Sequence, residues 1–279
     1  MERIKQAIEK DKKKSNSGNT QIVQPRQTIQ HAANLRSSLD QQELEDIKYE
    51  NTPIVKLKTD HLEKNRIVSF NKNDAMSMNY DLLRTQVLQK MNENGWRTLA
   101  ITSPAPEAGK TVVSINLAIS IAQQTNQTVM LVDFDLRRPK VGAYLGLPME
   151  KSLNDLLDGT AQLSDILVNP DIPRFVVLAT KHAVKKSSET LSSKKISDMV
   201  KDVRQRYSSR IVIFDLPPVL VIDDAIALLP QIDCVLMVVA NGMSTKREIE
   251  DSLLHIPAEK LIGTVFNKAD NQLSDRYYY

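Results

Sequence analysis

Between residues 98 and 266, short uninterrupted apolar runs alternate with segments whose apolar residues recur every three to four positions. The uninterrupted runs predict strands buried on both faces of a parallel sheet, and the recurring positions predict helices. The predicted strands are 98–102, 128–133, 174–179, 210–215, 234–240 and 261–266. The predicted helices are 110–123, 151–157, 192–206 and 245–254. This alternation indicates an α/β fold, a doubly wound and mainly parallel sheet flanked by helices.

The chain before residue 98 follows a different pattern. Residues 74–94 predict one helix, because five apolar residues recur at helical intervals: Met78, Leu82, Val87, Leu88 and Met91. Residues 1–14 predict a short helix. Residues 15–53 are rich in Gln, Asn and Ser and predict a linker with one further helix at 28–36.

These patterns divide the chain into three expected parts. We expect an N-terminal extension and linker at 1–73, partly disordered, which is either a solvated terminus or a docking peptide. A core domain is expected at 74–270 and a flexible tyrosine-containing tail at 271–279.

Composition excludes several classes of protein. The net charge of +3 over 279 residues is too small to indicate nucleic-acid binding by itself. Cys234 is the single cysteine and lies in an apolar run, so we expect a buried thiol in a reducing, cytoplasmic compartment. No apolar run approaches the roughly 18–20 residues that span a bilayer, and the polar N-terminus does not resemble a secretory signal.

Residues 101–111, Ile-Thr-Ser-Pro-Ala-Pro-Glu-Ala-Gly-Lys-Thr, join a predicted strand to a predicted helix. A loop that opens a helix with Gly-Lys-Thr binds polyphosphate, because its amide groups and the helix dipole favour negative charge. Lys110 is expected to reach the β- and γ-phosphates, and Thr111 to bind Mg²⁺. Pro104 stands where the first glycine of this motif belongs.

Two further predicted strands end in carboxylates. Asp133 and Asp135 follow one apolar run, and Asp215 ends another. Either motif alone is explained by a turn-forming Asp at the end of a strand. Three such motifs in this order favour a nucleotide with Mg²⁺, because open α/β sheets bind ligands at the carboxyl ends of their strands.

The same segments resemble a known family over residues 74–279: the bacterial tyrosine kinases of the P-loop type that accompany polysaccharide chain-length regulators. The motif Asp-x-Asp-x-Arg-Arg-Pro at 133–139 matches the family's second acidic motif, and Asp215–Pro218 matches its third. Asp224 and the segment from Ser188 also resemble family positions. Tyr277, Tyr278 and Tyr279 resemble the family's autophosphorylated cluster. The first ten residues are similar to a branch without fused membrane helices, linked to exopolysaccharide export.

The resemblance implies a P-loop NTPase fold and an ATP- and Mg²⁺-dependent tyrosine autokinase that regulates exopolysaccharide synthesis or export. The implied catalytic residues are Lys110, Asp133 as base, Asp135 and Arg137. The implied nucleotide-binding residues are Glu107, Ala108, Gly109, Lys110, Thr111, Val112 and Asn267. Thr111, Asp135 and Asp215 are the implied Mg²⁺ ligands, and Tyr277–Tyr279 the implied autophosphorylation sites.

The resemblance also implies partners and a location. The expected partners are a membrane chain-length regulator, further copies of the chain and a protein-tyrosine phosphatase, with no nucleic acid. The expected location is cytoplasmic, at the inner membrane through a partner.

The chain departs from the family pattern in three places, one of which is its short tail, with three tyrosines and no spread-out cluster. Glu107 replaces a glycine in the phosphate loop, which implies weaker nucleotide binding or a reshaped loop, since glycine adopts positive φ more readily. Met78, Asp81 and Arg84 stand where many members carry the Glu-x-x-Arg-x-x-Arg motif of ring assembly. An alternative function therefore stays open: a weak or inactive ATPase that acts as a nucleotide-switched scaffold, like the partitioning ATPases.

Overall fold

A six-stranded parallel sheet lies at the centre of the computed structural model, which describes residues 52–124, 127–206 and 209–269. The strands are β1 (Thr98–Thr102), β2 (Thr128–Asp133), β3 (Phe175–Leu178), β4 (Arg210–Asp215), β5 (Cys234–Ala240) and β6 (Leu261–Asn267). Their order across the sheet is β3-β2-β4-β1-β5-β6. The connection from β1 leads to β2, toward one edge of the sheet, whereas the connection from the neighbouring β5 leads to β6 at the other edge. The connections therefore diverge beside β1, and ligands bind at such a point in open α/β sheets.

Helices flank this sheet. They are α1 (Thr59–Lys64), α2 (Ala75–Glu93), α3 (Lys110–Gln124), α4 (Val141–Leu145), α5 (Leu153–Asp158), α6 (Ser187–Leu191), α7 (Lys194–Gln205), α8 (Asp224–Leu228) and α9 (Lys246–His255). Three 3₁₀ turns at Leu163–Ile166, Leu229–Gln231 and Ala258–Lys260 accompany them. The predicted fold class is confirmed, and each predicted strand and helix of the core matches an observed element to within two residues.

The sheet separates two hydrophobic cores. Successive strand residues point to opposite faces, so Leu99 and Ile101 of β1 enter one core and Ala100 enters the other. Helices α2 and α3 cover the first face, and α7 and α8 contribute to the second. Strands β1 to β5 are buried along their whole length, which explains their uninterrupted apolar sequences. In edge strand β6, Ile262 is buried and the other residues are partly buried or exposed.

The buried face of α2 only partly matches its predicted apolar positions. Val87, Leu88 and Met91 are buried, but Met78 is 75% exposed and Leu82 60% exposed. The helical periodicity therefore predicted the helix correctly, but in its first half the residues that pack on the core are Ser77, Tyr80 and Leu83.

The described part of the expected extension, residues 52–73, packs on the sheet domain. Leu62 of α1 and Ile67 are buried in the first core. Asn116 of α3 holds this segment: its side-chain oxygen accepts hydrogen bonds from the backbone N–H groups of Val68 (2.8 Å) and Ser69 (2.9 Å). Its amide group donates to the carbonyl oxygens of Arg66 and Val112.

The helices expected at 1–14 and 28–36, residues 15–51 of the expected linker, residue 270 and the tail expected at 271–279 lie outside the described residues. Among the residues that are described, no helix combines the length and the apolar character needed to cross a membrane.

Candidate active site

The loop after β1 wraps around the N-terminus of α3. Gly109, immediately before Lys110, has φ +92°, and Glu107 has φ +63°. Glu107 thus adopts the left-handed backbone that glycine adopts readily, and its side chain is exposed. Because the loop leads into the first turn of a helix, its N–H groups and the helix dipole provide a site for an anion.

Lys110 and Asp135 form a buried ion pair at this helix terminus. The Nζ atom of Lys110 lies 2.7 Å from Oδ2 of Asp135, and both side chains are about nine-tenths buried. Burial lowers the pKa of Lys110, but attraction to Asp215 and Asp135 outweighs burial, so that its pKa is raised overall. Lys110 is therefore charged, as a phosphate ligand must be.

Thr111 and Asp215 form a second pair beside the first. The Thr111 hydroxyl donates to Oδ2 of Asp215 over 2.6 Å, and the Ser114 hydroxyl lies 3.1 Å from Oδ1. Burial raises the pKa of Asp215 despite the attraction of Lys110. Ser114 was not predicted, although its position one helical turn after Lys110 places it on the same face of α3.

Asp133 is fully buried at the end of β2. Its Oδ2 atom accepts hydrogen bonds from the backbone N–H groups of Lys140 (3.0 Å) and Val141 (2.9 Å), and its Oδ1 atom accepts one from Asp135 (3.2 Å). Burial and the neighbouring Asp215 raise the pKa of Asp133 well above its usual range. Asp133 thus also fixes the start of α4 next to the ion pairs.

The oxygen ligands present suit Mg²⁺. Within the described ranges, no group of three or more His, Cys, Asp or Glu residues has the geometry of a metal site. However, Mg²⁺ is commonly held by one or two carboxylates with phosphate oxygens and water. The Thr111 hydroxyl and the carboxylates of Asp135 and Asp215 meet that requirement at the helix terminus where a phosphate would lie.

The Arg137 side chain extends toward α6 and α8. Its Nε atom donates to the Ser187 hydroxyl over 2.9 Å and lies 3.8 Å from Oδ2 of Asp224. The motif that identified Arg137 gave no sign of Ser187, because that contact joins positions fifty residues apart.

The predicted residues thus fall into several groups. Five converge at the carboxyl edge of the sheet: Lys110, Thr111, Asp133, Asp135 and Asp215. Asn267 joins them at the phosphate loop, where its side-chain amide donates to the Ala108 carbonyl over 2.8 Å. Val112 is half-buried in the first turn of α3, and Tyr277–Tyr279 lie outside the described residues.

Comparisons with known proteins agree with this geometry. The AAA domain family model matches residues 97–256, more than half of the chain. A tyrosine-protein kinase, ptk, of Acinetobacter johnsonii is 30% identical over 172 residues, which cover 61% of this chain and 23% of that protein. Tyrosine-protein kinase CpsD of Streptococcus pneumoniae is 28% identical over 194 residues, covering 68% of this chain and 83% of the relative.

Among solved structures, the kinase domain of the Escherichia coli tyrosine kinase ETK superposes with a TM-score of 0.68 at 25% identity, covering 86% of this chain and 97% of that one. Cell-division and partitioning ATPases share the fold at 17–20% identity, which shows the fold alone.

The fold and the phosphate loop define a P-loop nucleotide-binding protein. The chain belongs to the AAA domain family, and the relatives that it resembles are named as bacterial tyrosine-protein kinases. It spans only about a quarter of the length of the first curated relatives that it matches.

Proposed function

We propose that this chain is an ATP- and Mg²⁺-dependent tyrosine kinase that phosphorylates the tyrosines at its own C-terminus. The observation that carries the proposal is the pair of side-by-side contacts at the start of α3, Lys110 with Asp135 and Thr111 with Asp215. They bring a cation for phosphate and oxygen ligands for Mg²⁺ to one helix terminus.

Phosphoryl transfer needs positioning and charge neutralisation more than covalent chemistry from the protein. Lys110 exchanges its contact with Asp135 for the β- and γ-phosphates, while the N–H groups of residues 107–111 hold phosphate oxygens. Thr111, Asp135 and Asp215 would hold Mg²⁺, which would supply positive charge to offset the charge that develops on the phosphates.

Asp133 accepts the proton of the attacking tyrosine. A tyrosine hydroxyl has a pKa near 10 and is a weak nucleophile until a base takes its proton. The position of Asp133 at the end of β2, opposite Asp215 and hydrogen-bonded to the backbone of Asp135, supports this role. Arg137 either stabilises charge on the transferring phosphoryl group or holds the incoming tyrosine.

The proposed cellular role is regulation of exopolysaccharide synthesis or export, together with a membrane chain-length regulator and opposed by a protein-tyrosine phosphatase. The chain acts in the cytoplasm, at the inner membrane through that partner. It self-associates by contacts other than the family's ring motif: Arg84 is paired within the chain to Asp81, 2.8 Å away, and Met78 is exposed.

The alternative is a nucleotide-switched scaffold with little or no kinase activity. The exposed carboxylate of Glu107 in the phosphate loop favours this alternative, because it places negative charge next to the expected phosphates.

One experiment tests the kinase and separates it from the scaffold. Purified full-length protein is incubated with ATP and Mg²⁺, and tyrosine phosphorylation is followed by mass spectrometry. We expect phosphate on Tyr277–Tyr279 in the wild type and none in Lys110→Ala or Asp133→Asn. Matched controls are Lys194→Ala and Asp198→Asn, which alter an exposed ion pair on α7.

Full phosphorylation in both site variants would contradict the mechanism. A wild type that binds ATP without producing phosphotyrosine would favour the scaffold. Circular dichroism spectra of all four variants show whether each one is folded.

A further inference from the structure

Arg137 is held by one end of its guanidinium group. The Nε atom donates to Ser187, and the buried Asp224 carboxylate lies 3.8 Å from the same nitrogen. Within the described part of the chain, neither terminal nitrogen of Arg137 has a protein partner. A guanidinium anchored in this way presents its free nitrogens as a fork that matches phosphate.

The anchor is itself buried. Asp224 is fully buried at the start of α8, and its Oδ1 atom accepts a hydrogen bond from the Ser188 hydroxyl. Its Oδ2 atom, which faces Arg137, has no hydrogen-bond partner among the described residues. A buried carboxylate left in this state is costly unless a cation lies beside it, and Arg137 is the cation that lies beside Oδ2.

Further cations surround the fork and form a surface that we call the basic rim. The rim consists of Arg137, Arg138, Lys140, Lys181, Lys185 and Lys186, all exposed. It is built from two segments, 136–140 and 179–186, which carry no carboxylate of their own. A backbone hydrogen bond from Val184 to Leu136, 2.8 Å, joins the two segments. Lys186 also pairs with the exposed Glu189, 3.1 Å away, so the rim is a predominantly positive surface beside β2, the strand that ends in Asp133.

We propose that the basic rim binds phosphotyrosine in the C-terminal segment of a second copy of this chain, with Arg137 as the phosphate ligand and Asp224 as its positioning residue. The proposal rests on the proposed kinase function, since phosphorylation of one tyrosine creates this ligand beside the remaining acceptors. Each phosphate adds about −1.5 to −2 charges to a segment that ends in three adjacent tyrosines.

The order of the residues along the chain agrees with this assignment. Arg137 follows Asp133, the proposed base, by four residues, so their Cα atoms lie at most roughly 14 Å apart. In an extended peptide, residues two apart project from the same side roughly 7 Å apart. A phosphate bound by Arg137 thus keeps the other tyrosines of the same segment near the site, so that the first phosphorylation primes the next.

The test measures binding to the full-length protein without nucleotide, after phosphatase treatment, by fluorescence anisotropy. The probes are the labelled peptide of residues 271–279, Asn-Gln-Leu-Ser-Asp-Arg-Tyr-Tyr-Tyr, unphosphorylated or phosphorylated on Tyr279. We expect the phosphopeptide to bind about tenfold or more tightly than the unphosphorylated peptide. Arg137→Ala removes that preference, whereas Arg206→Ala, which alters an exposed arginine paired with Asp202 on α7, retains it.

Asp224→Asn and Ser187→Ala should each reduce the preference several-fold without altering binding of the unphosphorylated peptide. That selective loss separates positioning of Arg137 from general damage to the fold. Ser187→Ala removes only a hydroxyl, so it can replace Asp224→Asn as the test of Arg137 positioning if Asp224→Asn does not fold.

Equal binding of the two peptides, or a preference that survives Arg137→Ala, would overturn the proposal. The proposal would also be overturned if anionic phospholipid vesicles bound in an Arg137-dependent manner while the phosphopeptide did not. The basic rim would then bind a membrane surface. Since no ATP is used, the result is independent of kinase activity. A chain that phosphorylates tyrosine but shows no phosphopeptide preference contradicts this inference alone.

Discussion

The side-chain amide of Asn267, at the end of edge strand β6, donates a hydrogen bond to the carbonyl oxygen of Ala108 in the phosphate loop, 2.8 Å away. Gly109 follows directly, and a Cβ atom built on it would lie 2.2 Å from the same amide nitrogen. The phosphate loop is thus closed on one side by a side chain 159 residues away. The absence of a side chain at Gly109 allows this approach.

Gly109→Ala should weaken nucleotide binding with only a modest effect on folding. The new methyl group collides with Asn267, and the backbone at φ +92° is unfavourable for alanine. We expect at least about a tenfold loss of ATP affinity by isothermal titration. Gly95→Ala is the matched control: φ is +66°, but no atom lies within 4 Å of the added Cβ. If both variants bind ATP like the wild type, the close approach of Asn267 does not shape the site.

The sheet and the acidic strand ends could be predicted because both are local features of the sequence. The six residues of β4 are an example: their apolar run predicts a buried strand, and the final Asp215 predicts a carboxylate at the carboxyl edge of the sheet. The contacts of Asn267 with Ala108, of Asn116 with residues 66–69 and of Arg137 with Ser187 could not be predicted. Each contact joins two segments that are distant in the sequence through one side chain. Neither segment has a sequence pattern that indicates which other segment it will contact.

Short helices were missed for a different reason. Helix α4 has five residues, too few for apolar residues to repeat at helical intervals. Backbone N–H groups at its start donate hydrogen bonds to Asp133. The sequence predicted a catalytic role for Asp133 and gave no indication that it stabilises the start of a helix. Helix α8 likewise starts at Asp224, whose carboxylate faces Arg137.

Glu107→Gly should tighten ATP binding through two separable effects. It removes an exposed carboxylate near the expected phosphates, and it relieves a non-glycine residue at φ +63°. Glu107→Gln removes the charge and keeps the backbone strain. We expect both variants to bind ATP more tightly than the wild type by several-fold, with glycine also gaining stability of about 1 kcal/mol. Unchanged or weaker affinity in both would indicate that the loop uses the Glu107 carboxylate.

Asp133→Asn should change how the stability of the nucleotide-free protein depends on pH. In the unfolded chain, Asp has a pKa of about 3.9, whereas burial raises the pKa of Asp133 well above that value in the folded protein. The folded state therefore holds a proton that the unfolded state has lost. The stability associated with this proton is full below about pH 4 and is lost as the pH rises through the raised pKa.

Thermal unfolding in EDTA between about pH 4 and 8 measures this effect. The melting temperature of Asp133→Asn, relative to wild type, should rise with pH over that window. Asp198→Asn, at an exposed position on α7, should keep a constant difference. A constant difference for Asp133→Asn as well would mean that Asp133 is ionised throughout.

The last prediction concerns which molecule supplies the acceptor tyrosine. The chain continues for twelve residues beyond Asn267, roughly 40 Å if fully extended. In the sheet, β6 is separated from β2, which carries Asp133, by β5, β1 and β4, or roughly 19 Å at the usual strand spacing. A tail that must cross this edge and reverse direction loses more conformational entropy than one that enters from a neighbouring molecule. We therefore expect transfer between molecules.

The test mixes full-length Asp133→Asn, which retains its tyrosines, with an active chain that lacks residues 277–279. Intact mass spectrometry after addition of ATP and Mg²⁺ distinguishes the two chains. We expect phosphate on the Asp133→Asn chain, at a rate that rises with the concentration of the truncated partner. A mixture in which the partner also carries Lys110→Ala is the control and should give no phosphate. An unlabelled Asp133→Asn chain, together with wild-type labelling that is independent of dilution, would instead place the tyrosine in its own active site.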